Sequence, residues 1–277
     1  DTSGSIATVA QGTGSNTNVF TITPSTSSAN AGTFTLTFRA SDGVNLASAP
    51  AEFSLEFSVA NSNYTSALIT SVGADNAVNN SFIDSSTHSH TITASGDSHQ
   101  TTFSPYRHGG YSTYFDGTGD YVTAPSNAAF DFGTGDFTVE TWVYYDAMPS
   151  GNGYPNSAWI LGGGPANSNT GFDIAIGSTN VQVGLVTFAS LNINAAHGMS
   201  AGKWYHLAVV RNGNTLTCYK DGSSLATADV TGVTANAMPT GIAIAAAEPS
   251  GSTSGNPNGY YSDVRVVKGT AVYTADF

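Results

Sequence analysis

The sequence predicts an all-β protein, built as a sandwich or barrel. Apolar and polar residues alternate in many short segments, which is the period of a strand with one buried face. The 31 glycines and 10 prolines separate these segments as turn residues do. No segment has a convincing helical period. These observations together favour antiparallel sheets that pack face to face.

Charge is scarce in this chain. Only 9% of its residues are charged, against about a quarter in an ordinary soluble domain. Seven Lys and Arg, scattered along the chain, face 19 Asp and Glu, which gives a formal net charge of −12. Because phosphate binding needs clustered cations, we expect no nucleic-acid partner. No run approaches the roughly 20 apolar residues of a membrane span, so we also expect no membrane insertion.

Cys218 is the only cysteine, so the chain can form no intrachain disulfide and no cysteine metal site. It lies in a predicted strand, where we expect a buried, unreactive thiol. Small secreted eukaryotic modules usually depend on disulfides. Their absence favours a bacterial or phage product.

Residues 1–60 predict a small β-unit. Apolar residues alternate through 34–40 and 53–59, and Ser41-Asp42-Gly43 predicts the turn between them. With two further segments, the unit has four or five strands, whereas an immunoglobulin-type sandwich has about seven. We therefore expect an incomplete unit, whose missing strands lie upstream or come from a neighbouring chain. A hinge is predicted at 61–63.

Residues 63–277 predict one larger domain, because no second break in composition interrupts them. Its clearest element is a three-stranded meander from 204 to 228. Asn212-Gly213 and Asp221-Gly222 join its strands. Both pairs favour type I′ hairpin turns, since Asn, Asp and Gly accept a positive φ.

Several motifs of this domain resemble laminin-G-like (concanavalin A-like) jelly rolls, which are related to pentraxins. The match extends over about 63–277 in order and spacing, through the segments YFDGTGDYV (114–122), GDFTVETWV (135–143), KWYHLAVVR (203–211), YKDG (219–222) and YSDVRVV (261–267). The resemblance implies a jelly-roll β-sandwich.

A narrower resemblance links the chain to tail-fibre and virion surface proteins of marine phages, cyanophages in particular. Its motifs are TFSPY (102–106) before YFDG (114–117), and VVKGTAVY (266–273). The segments 18–24 and 40–44 are similar to the cadherin- or immunoglobulin-like repeats that precede such domains there. The resemblance implies a virion surface location, contacts with other virion proteins or copies of itself, a homo-oligomer, and a chain that continues beyond both ends.

The sequence predicts no catalytic site. Glycoside hydrolysis needs two carboxyl groups about 5–9.5 Å apart, and Glu140 is the only acid between 137 and 145. Glu52 and Glu56 share a strand face, but in the small unit. Neither a Gly-x-Ser-x-Gly elbow nor a phosphate loop is present. We therefore predict that the protein is not an enzyme.

Calcium is the one cofactor that the resemblance implies, and none is required. Carried over by position, Asn167 and Asn169 would lie in the loop after the strand at 159–161, and Glu248 would follow the strand at 242–244. Related domains hold calcium there through loop oxygens. Asp116 and Asp120, or Asp263, are alternative ligands.

Two loops carry the residues expected to contact a glycan, since sugar sites combine aromatic faces with amide or carboxylate partners. One loop contains Tyr154, Asn156 and Trp159. The other contains Asn258, Tyr260 and Tyr261. Both could meet at one rim of the sandwich, although these aromatic residues could equally pack in the core or between subunits.

The sequence as a whole predicts a non-enzymatic virion surface or appendage protein, a fibre or decoration component. Its domain would adhere to host surface polysaccharide through many weak contacts. The alternative is a bacterial cell-surface adhesin or filament subunit, which would be extracellular and not part of a virion. A purely structural cement protein is another.

Overall fold

The structure is a computed structural model of the 277-residue chain. It describes residues 65–71, 82–106, 110–164, 171–249 and 255–277, together with the backbone of four strands nearer the amino terminus. The chain divides into two compact units, Asp1–Asn63 and Tyr64–Phe277.

The first unit contains two antiparallel strand pairs. Strand β1 (Ala7–Gln11) pairs with β2 (Phe20–Pro24), and β3 (Gly32–Phe38) pairs with β4 (Ala51–Phe57). The predicted alternation is reflected in the second pair, where Leu36 is opposite Phe53. The predicted turn at 41–43 and the hinge at 61–63 lie outside the described residues.

The second unit contains two antiparallel sheets, one of seven strands and one of nine. The seven-stranded sheet consists of β7 (Thr93–Ser95), β10 (Tyr121–Ala124), β12 (Ala158–Gly162), β13 (Asp173–Ile176), β14 (Asn180–Gly184), β15 (Ile193–Ala196) and β19 (Ile242–Ile244). Its order is β15-β14-β13-β12-β19-β10-β7.

The nine-stranded sheet has the long strand β20 near its centre. Its strands are β5 (Thr65–Ser71), β6 (Phe82–Asp84), β8 (His99–Thr101), β9 (Ser112–Asp116), β11 (Phe137–Tyr145), β16 (Trp204–Asn212), β17 (Thr215–Lys220), β18 (Ser223–Asp229) and β20 (Asn258–Lys268). The order is β18-β17-β16-β11-β20-β5-β6, and β9 also pairs with β20 and with β8.

One large apolar core lies between the two sheets, as a jelly-roll sandwich requires. A pair of buried tyrosines also links the sheets. The hydroxyl of Tyr261 in β20 donates to the backbone oxygen of Trp159 in β12 (2.9 Å) and lies 3.0 Å from the hydroxyl of Tyr145. The predicted all-β jelly-roll class is confirmed. Among the described residues the one helical element is a single 3-10 turn, Ala128–Phe130.

The predicted meander is present as β16, β17 and β18, with one turn shifted. Asp221 and Gly222 both have positive φ, as a type I′ turn requires. In the first hairpin Asn212 pairs with Thr215, so the turn is Gly213-Asn214 and not the predicted Asn212-Gly213. Only Gly213 has a positive φ there, and this pattern belongs to the type II′ turn, whose first central residue is glycine.

Cys218 is buried, as predicted, and burial raises the pKa of its thiol to about 12. This side chain therefore behaves as a small apolar residue. Within the part of the chain that is described, no helix has the length and apolar character to cross a membrane.

Arg211, at the end of β16, is buried and bonds only to backbone oxygens. Its guanidinium donates to Gly213 (3.0 Å), Gly133 (3.3 Å), Val233 (2.9 Å) and Val230 (3.3 Å). One side chain thus holds three loops against the edge of the core. A guanidinium suits this position because its donors spread in a fixed plane.

We expect Arg211→Met to lower the free energy of unfolding by about 3 kcal/mol, since it removes four hydrogen bonds from a buried guanidinium and leaves the carbonyl group of Val233 without this donor. Arg211→Lys should recover little of this loss, because an ammonium group cannot reach all of these oxygens. Urea unfolding measures both effects. Lys268→Met is the control, since the ammonium group of Lys268 donates to one carbonyl, that of Ala128. Equal losses for Arg211→Met and Lys268→Met would contradict the assignment.

Candidate functional site

The two segments predicted to contact a glycan adjoin each other, since Trp159 donates to the backbone oxygen of Gly255 (3.0 Å) and Asp146 to that of Asn258 (2.9 Å), but their predicted contact residues differ in exposure. Tyr154 is 56% exposed and Asn156 is exposed, on the loop between β11 and β12. Trp159 is only 2% exposed, and it points away from the core on the seven-stranded sheet. Asn258 and Tyr260 lie on β20 of the other sheet and are half-buried. Tyr261 is 1% exposed and belongs to the core.

The outward side of the seven-stranded sheet is covered around Trp159. The ring of Phe188 lies 4.5 Å from the indole ring. A Cβ atom on Gly255 would come within 2.4 Å of the indole nitrogen, so the backbone passes directly over it. That nitrogen is buried without a hydrogen-bond partner. Trp159 is therefore a packed residue in this structure and not an open stacking surface.

Two acids meet on the same side of that sheet. Asp173 in β13 is 5% exposed, and Glu248 lies close enough to act on it electrostatically. Burial, with a smaller contribution from the charge of Glu248, raises the pKa of the Asp173 carboxyl to about 7. The sequence pattern does not indicate this pair, because Asp173 lies on β13 and Glu248 follows β19. Asn167 and Asn169, which the resemblance places with Glu248, lie outside the described residues.

An aromatic row crosses the outward side of the nine-stranded sheet. Its members are direct cross-strand partners on five neighbouring strands: Trp204 (β16), Tyr144 (β11), Tyr260 (β20), Tyr114 (β9) and His99 (β8). Neighbouring rings along the row lie 4.9 to 5.8 Å apart. All five are half-buried. The row lies outward because the next residues, Tyr145, Tyr261 and Phe115, face the core.

Phe103 lies on top of this row. Its ring centroid is 4.8 Å from those of Tyr144 and Tyr260 and 5.5 Å from that of Trp204. The backbone oxygen of Phe103 accepts a hydrogen bond from the hydroxyl of Ser112 (2.5 Å), which holds the loop onto the sheet. Phe103 nevertheless remains 41% exposed, so its ring is the most accessible part of the cluster.

A polar row runs beside the aromatic row. Its members lie two residues after the ring on β11 and β9 and two residues before it on β20 and β8. It consists of Asp146, Asn258, Asp116 and Asp97. These residues lie beside Tyr144, Tyr260, Tyr114 and His99, in that order. Residues two apart on a strand share a face. The charges of these acids also reach the rings: burial first, and then Asp146 and Asp116, raise the pKa of the Tyr114 hydroxyl.

Three carboxylates converge at the end of the polar row. Oxygens of Asp97, Asp116 and Asp120 all lie within 4.8 Å of one another. Asp120 is buried and accepts from the backbone N–H groups of Asp97 (2.8 Å) and Asp116 (3.0 Å). Burial raises the pKa of Asp120, as do the charges of its two neighbours, while these hydrogen bonds oppose the rise. Hard oxygen donors in this number fit Ca²⁺ better than a transition metal.

Glu140 is engaged in an ionic contact within the sheet. Its carboxylate pairs with Arg265 and lies 3.4 Å from the imidazole of His206. Burial opposes ionisation, but hydrogen bonds from His206 and Tyr273 and the charge of Arg265 outweigh it. The pKa of Glu140 is therefore held below its ordinary value. Asp263 accepts a hydrogen bond from the hydroxyl of Tyr106 (2.5 Å) and lies apart from the three converging carboxylates.

Sequence reasoning indicated Tyr260 and Asn258 as sugar contacts and Asp116, with Asp120, as alternative calcium ligands, and it missed the other members of these rows. The missing signal is the strand register. Tyr144 and Trp204 belong to strands that the sequence did predict, but only the pairing of those strands shows that their side chains adjoin Tyr260.

Comparison with known proteins identifies the fold. Residues 116–272 match the concanavalin A-like lectin/glucanases superfamily, as a laminin-G-type domain. No curated protein sequence matches the chain. Similar solved structures are clostridial toxin binding domains. That of Paraclostridial Mosquitocidal Protein 1 has 11% identity and a TM-score of 0.58, with 77% of this chain and 51% of that chain covered.

Two botulinum neurotoxin structures are similar to a comparable degree. One is of type C, whose cell entry depends on interaction with two ganglioside molecules (17% identity, TM-score 0.54, 76% and 49% covered). The other is the binding domain of neurotoxin DC in complex with SialylT (16% identity, TM-score 0.53, 76% and 49% covered). The chain spans about half the length of each solved chain, and at these identities the likeness shows the fold alone.

The buried Asp173 makes stability depend on pH. Its folded-state pKa of about 7 is above the ordinary value of 3.8, so its contribution is most favourable below pH 4 and is lost as the pH rises towards 7. We expect Asp173→Asn to increase the free energy of unfolding above pH 7, by on the order of 4 kcal/mol, and to leave it unchanged below pH 4. Urea unfolding in a metal chelator, from pH 3 to 8, measures this. A loss of stability at pH 8 would show that the carboxylate is ionised and stabilised by a partner.

Proposed function

We propose that this chain, which belongs to the concanavalin A-like lectin/glucanases superfamily, is a non-catalytic carbohydrate-binding protein. The observation that carries the proposal is the aromatic row with Phe103 above it and the polar row beside it. Sugar rings are bound by stacking on aromatic faces and by hydrogen bonds to carboxylates and amides. Here both kinds of group lie next to each other on the exposed side of a rigid sheet.

The seven-stranded sheet supports this function less well. Trp159 and Asp173 are covered by loops in the described structure, so a sugar would have to displace protein to reach them. Tyr154 and Asn156 are accessible, but they lie on the β11–β12 loop and not on the face of a sheet. They remain the alternative contact site, as the sequence predicts.

The toxin structures support the fold of this proposal and not its ligand. Ganglioside and SialylT are partners of those proteins. Because the chain spans only half of each, the sugar contacts can lie in the part that it does not match. The case for sugar binding in this chain therefore depends on the superfamily and on the two rows.

A binding role without catalysis is favoured by the state of the acids. Glu140 is paired with Arg265, and Asp173 is buried. The glycanase alternative would use one of these acids. It predicts release of reducing sugars that disappears in Glu140→Gln or in Asp173→Asn.

We place the protein on a virion appendage, as a fibre or decoration component present in many copies. The low charge, the lack of disulfides and the sequence likeness to marine phage proteins support this location. A bacterial surface adhesin, a filament subunit or a structural cement protein are the alternatives. Genes for tail or capsid proteins beside its coding sequence would support the appendage, whereas secretion genes would favour the adhesin.

The sugar-binding site can be tested by removing one exposed ring from each of the two candidate sites. We expect Phe103→Ala to weaken binding to a responsive glycan by about tenfold, since it removes the most accessible stacking surface. Tyr154→Ala should leave the affinity unchanged. A glycan array probed with an assembled, multivalent form identifies the ligand, and calorimetry on the single chain compares the variants.

The reverse result, loss with Tyr154→Ala and none with Phe103→Ala, would move the site to the β11–β12 loop. An array without any binder would contradict carbohydrate binding itself and favour the structural cement protein. Both residues are exposed, so neither variant should unfold the protein, and a thermal melt checks this.

Calcium is a separate proposal, and we place it at Asp97, Asp116 and Asp120. Each carboxylate that already accepts a backbone hydrogen bond keeps further lone pairs for a cation. A bound cation would also offset the repulsion among three acids. The cation would then hold Asp116 and Asp97, which form the outer part of the polar row, in fixed positions.

We expect Ca²⁺ to raise the melting temperature of the wild-type protein and of Asp173→Asn, but not that of Asp97→Asn. Ligand linkage gives about 2.7 kcal/mol at a hundredfold excess over the dissociation constant. Thermal melts with added Ca²⁺ or chelator measure the shift. An increase retained in Asp97→Asn and lost in Asp173→Asn would place the cation beside Glu248, as the resemblance implies.

A further inference from the structure

We infer that the aromatic row selects a linear, uncharged oligosaccharide that lies across the strands. This inference rests on the proposed function and names the ligand class of the same site. It follows from three properties of the site: the length of the row, its direction and the sign of the charge beside it.

The row is long in one direction and narrow in the other. It crosses five strands, which at a spacing of about 4.8 Å gives a length of about 19 Å. That length exceeds one sugar ring. Along the strands, by contrast, the polar row borders the aromatic row on one side. Because Phe103 lies over Trp204, Tyr144 and Tyr260, a sugar chain would contact Phe103 at that end of the row. It makes most contact when it continues along the row over Tyr114 and His99.

The far side of the row is closed as well. Tyr106 lies over the neighbouring part of the sheet, with its hydroxyl bonded to Asp263. Trp142 and His206, which form the adjacent cross-strand pair, are half-buried. The accessible strip is thus bounded by Tyr106 on one side and by the polar row on the other, which disfavours a branched glycan.

The charge beside the row excludes anions. Asp146, Asp116 and Asp97 are all exposed, and Asn258 is the one uncharged member of the polar row. A sulfate or carboxylate on the sugar would lie next to these acids and be repelled. Hydroxyl groups, in contrast, can donate to the carboxylates and bond to the amide of Asn258.

Within the described ranges, the basic residue next to the row in sequence is Lys203. Lys203 is exposed and precedes Trp204, whereas the three acids lie two residues from Tyr144, Tyr114 and His99. Salt would screen the repulsion at the acids, since all three carboxylates are in contact with solvent. The discrimination against anions should therefore be largest at low ionic strength.

The test compares oligosaccharides by calorimetry at low and high salt, in a metal chelator, since Ca²⁺ bound at Asp97 and Asp116 would offset two of the three charges. The probes are cello-, xylo- and manno-oligosaccharides from the disaccharide upwards, with oligogalacturonate and sulfated cello-oligosaccharide as anionic counterparts. For the neutral series that binds, we expect affinity to rise by about tenfold or more between the disaccharide and the length that fills the row. The anionic counterparts should bind about tenfold more weakly at low salt and less so at high salt.

One variant in each row, with a control for the first, tests which row causes each effect. Asp146→Asn should reduce the discrimination against anionic sugars, whereas Asp229→Asn, the same change at an exposed acid on β18, should not. Tyr114→Ala should weaken binding of the long neutral chain more than that of the disaccharide, because it shortens the row from one end. Thermal melts check that each variant is folded.

The outcomes separate this inference from the proposed function. Anionic sugars that bind as tightly as neutral ones, or a disaccharide that binds as tightly as the longest chain, would overturn the inference and leave carbohydrate binding intact. Branched glycans bound in preference to linear ones would do the same. Failure of every sugar to bind, in the multivalent form as well, would contradict the proposed function itself.

Discussion

The register of β20 is the constraint on which the rest of the structure depends. This strand pairs with β11 along one edge and with β9 and β5 along the other. Tyr261, Val264 and Val266 all face the core, although strict alternation cannot place residues three apart on one face. An irregularity at Asp263, which has a φ of +52°, resolves this conflict. Bulges of this kind reorient side chains within a strand.

That irregularity has a direct consequence for the proposed site. With Tyr261 in the core, Tyr260 must face outward, and its partners Tyr144 and Tyr114 align with it. The buried hydroxyl of Tyr261 is satisfied by the backbone of Trp159 on the other sheet, which fixes the choice between the two adjacent tyrosines. The packing between the sheets thus determines which aromatic side chains reach the surface.

The two sheets use their acids differently. On the seven-stranded sheet, Asp173 is buried near Glu248 under loops, which favours its protonated form. On the nine-stranded sheet, Asp146, Asp116 and Asp97 are exposed beside aromatic rings. Low overall charge makes this local difference important, because few cations are available to balance either group. The exposed acids are therefore the ones that can affect the choice of ligand.

The sequence by itself determined the all-β class, the hairpins around Asp221-Gly222, the buried Cys218 and the laminin-G-like architecture. Local alternation and turn chemistry encode these features, so they need no knowledge of distant contacts. It also indicated Tyr260 and Asn258, but it grouped them with Trp159 and Tyr261. Only the tertiary structure decided which of these face solvent and which strands lie side by side. Strand register and loop cover arise from contacts between residues far apart in the chain, and a pattern of near neighbours does not contain them.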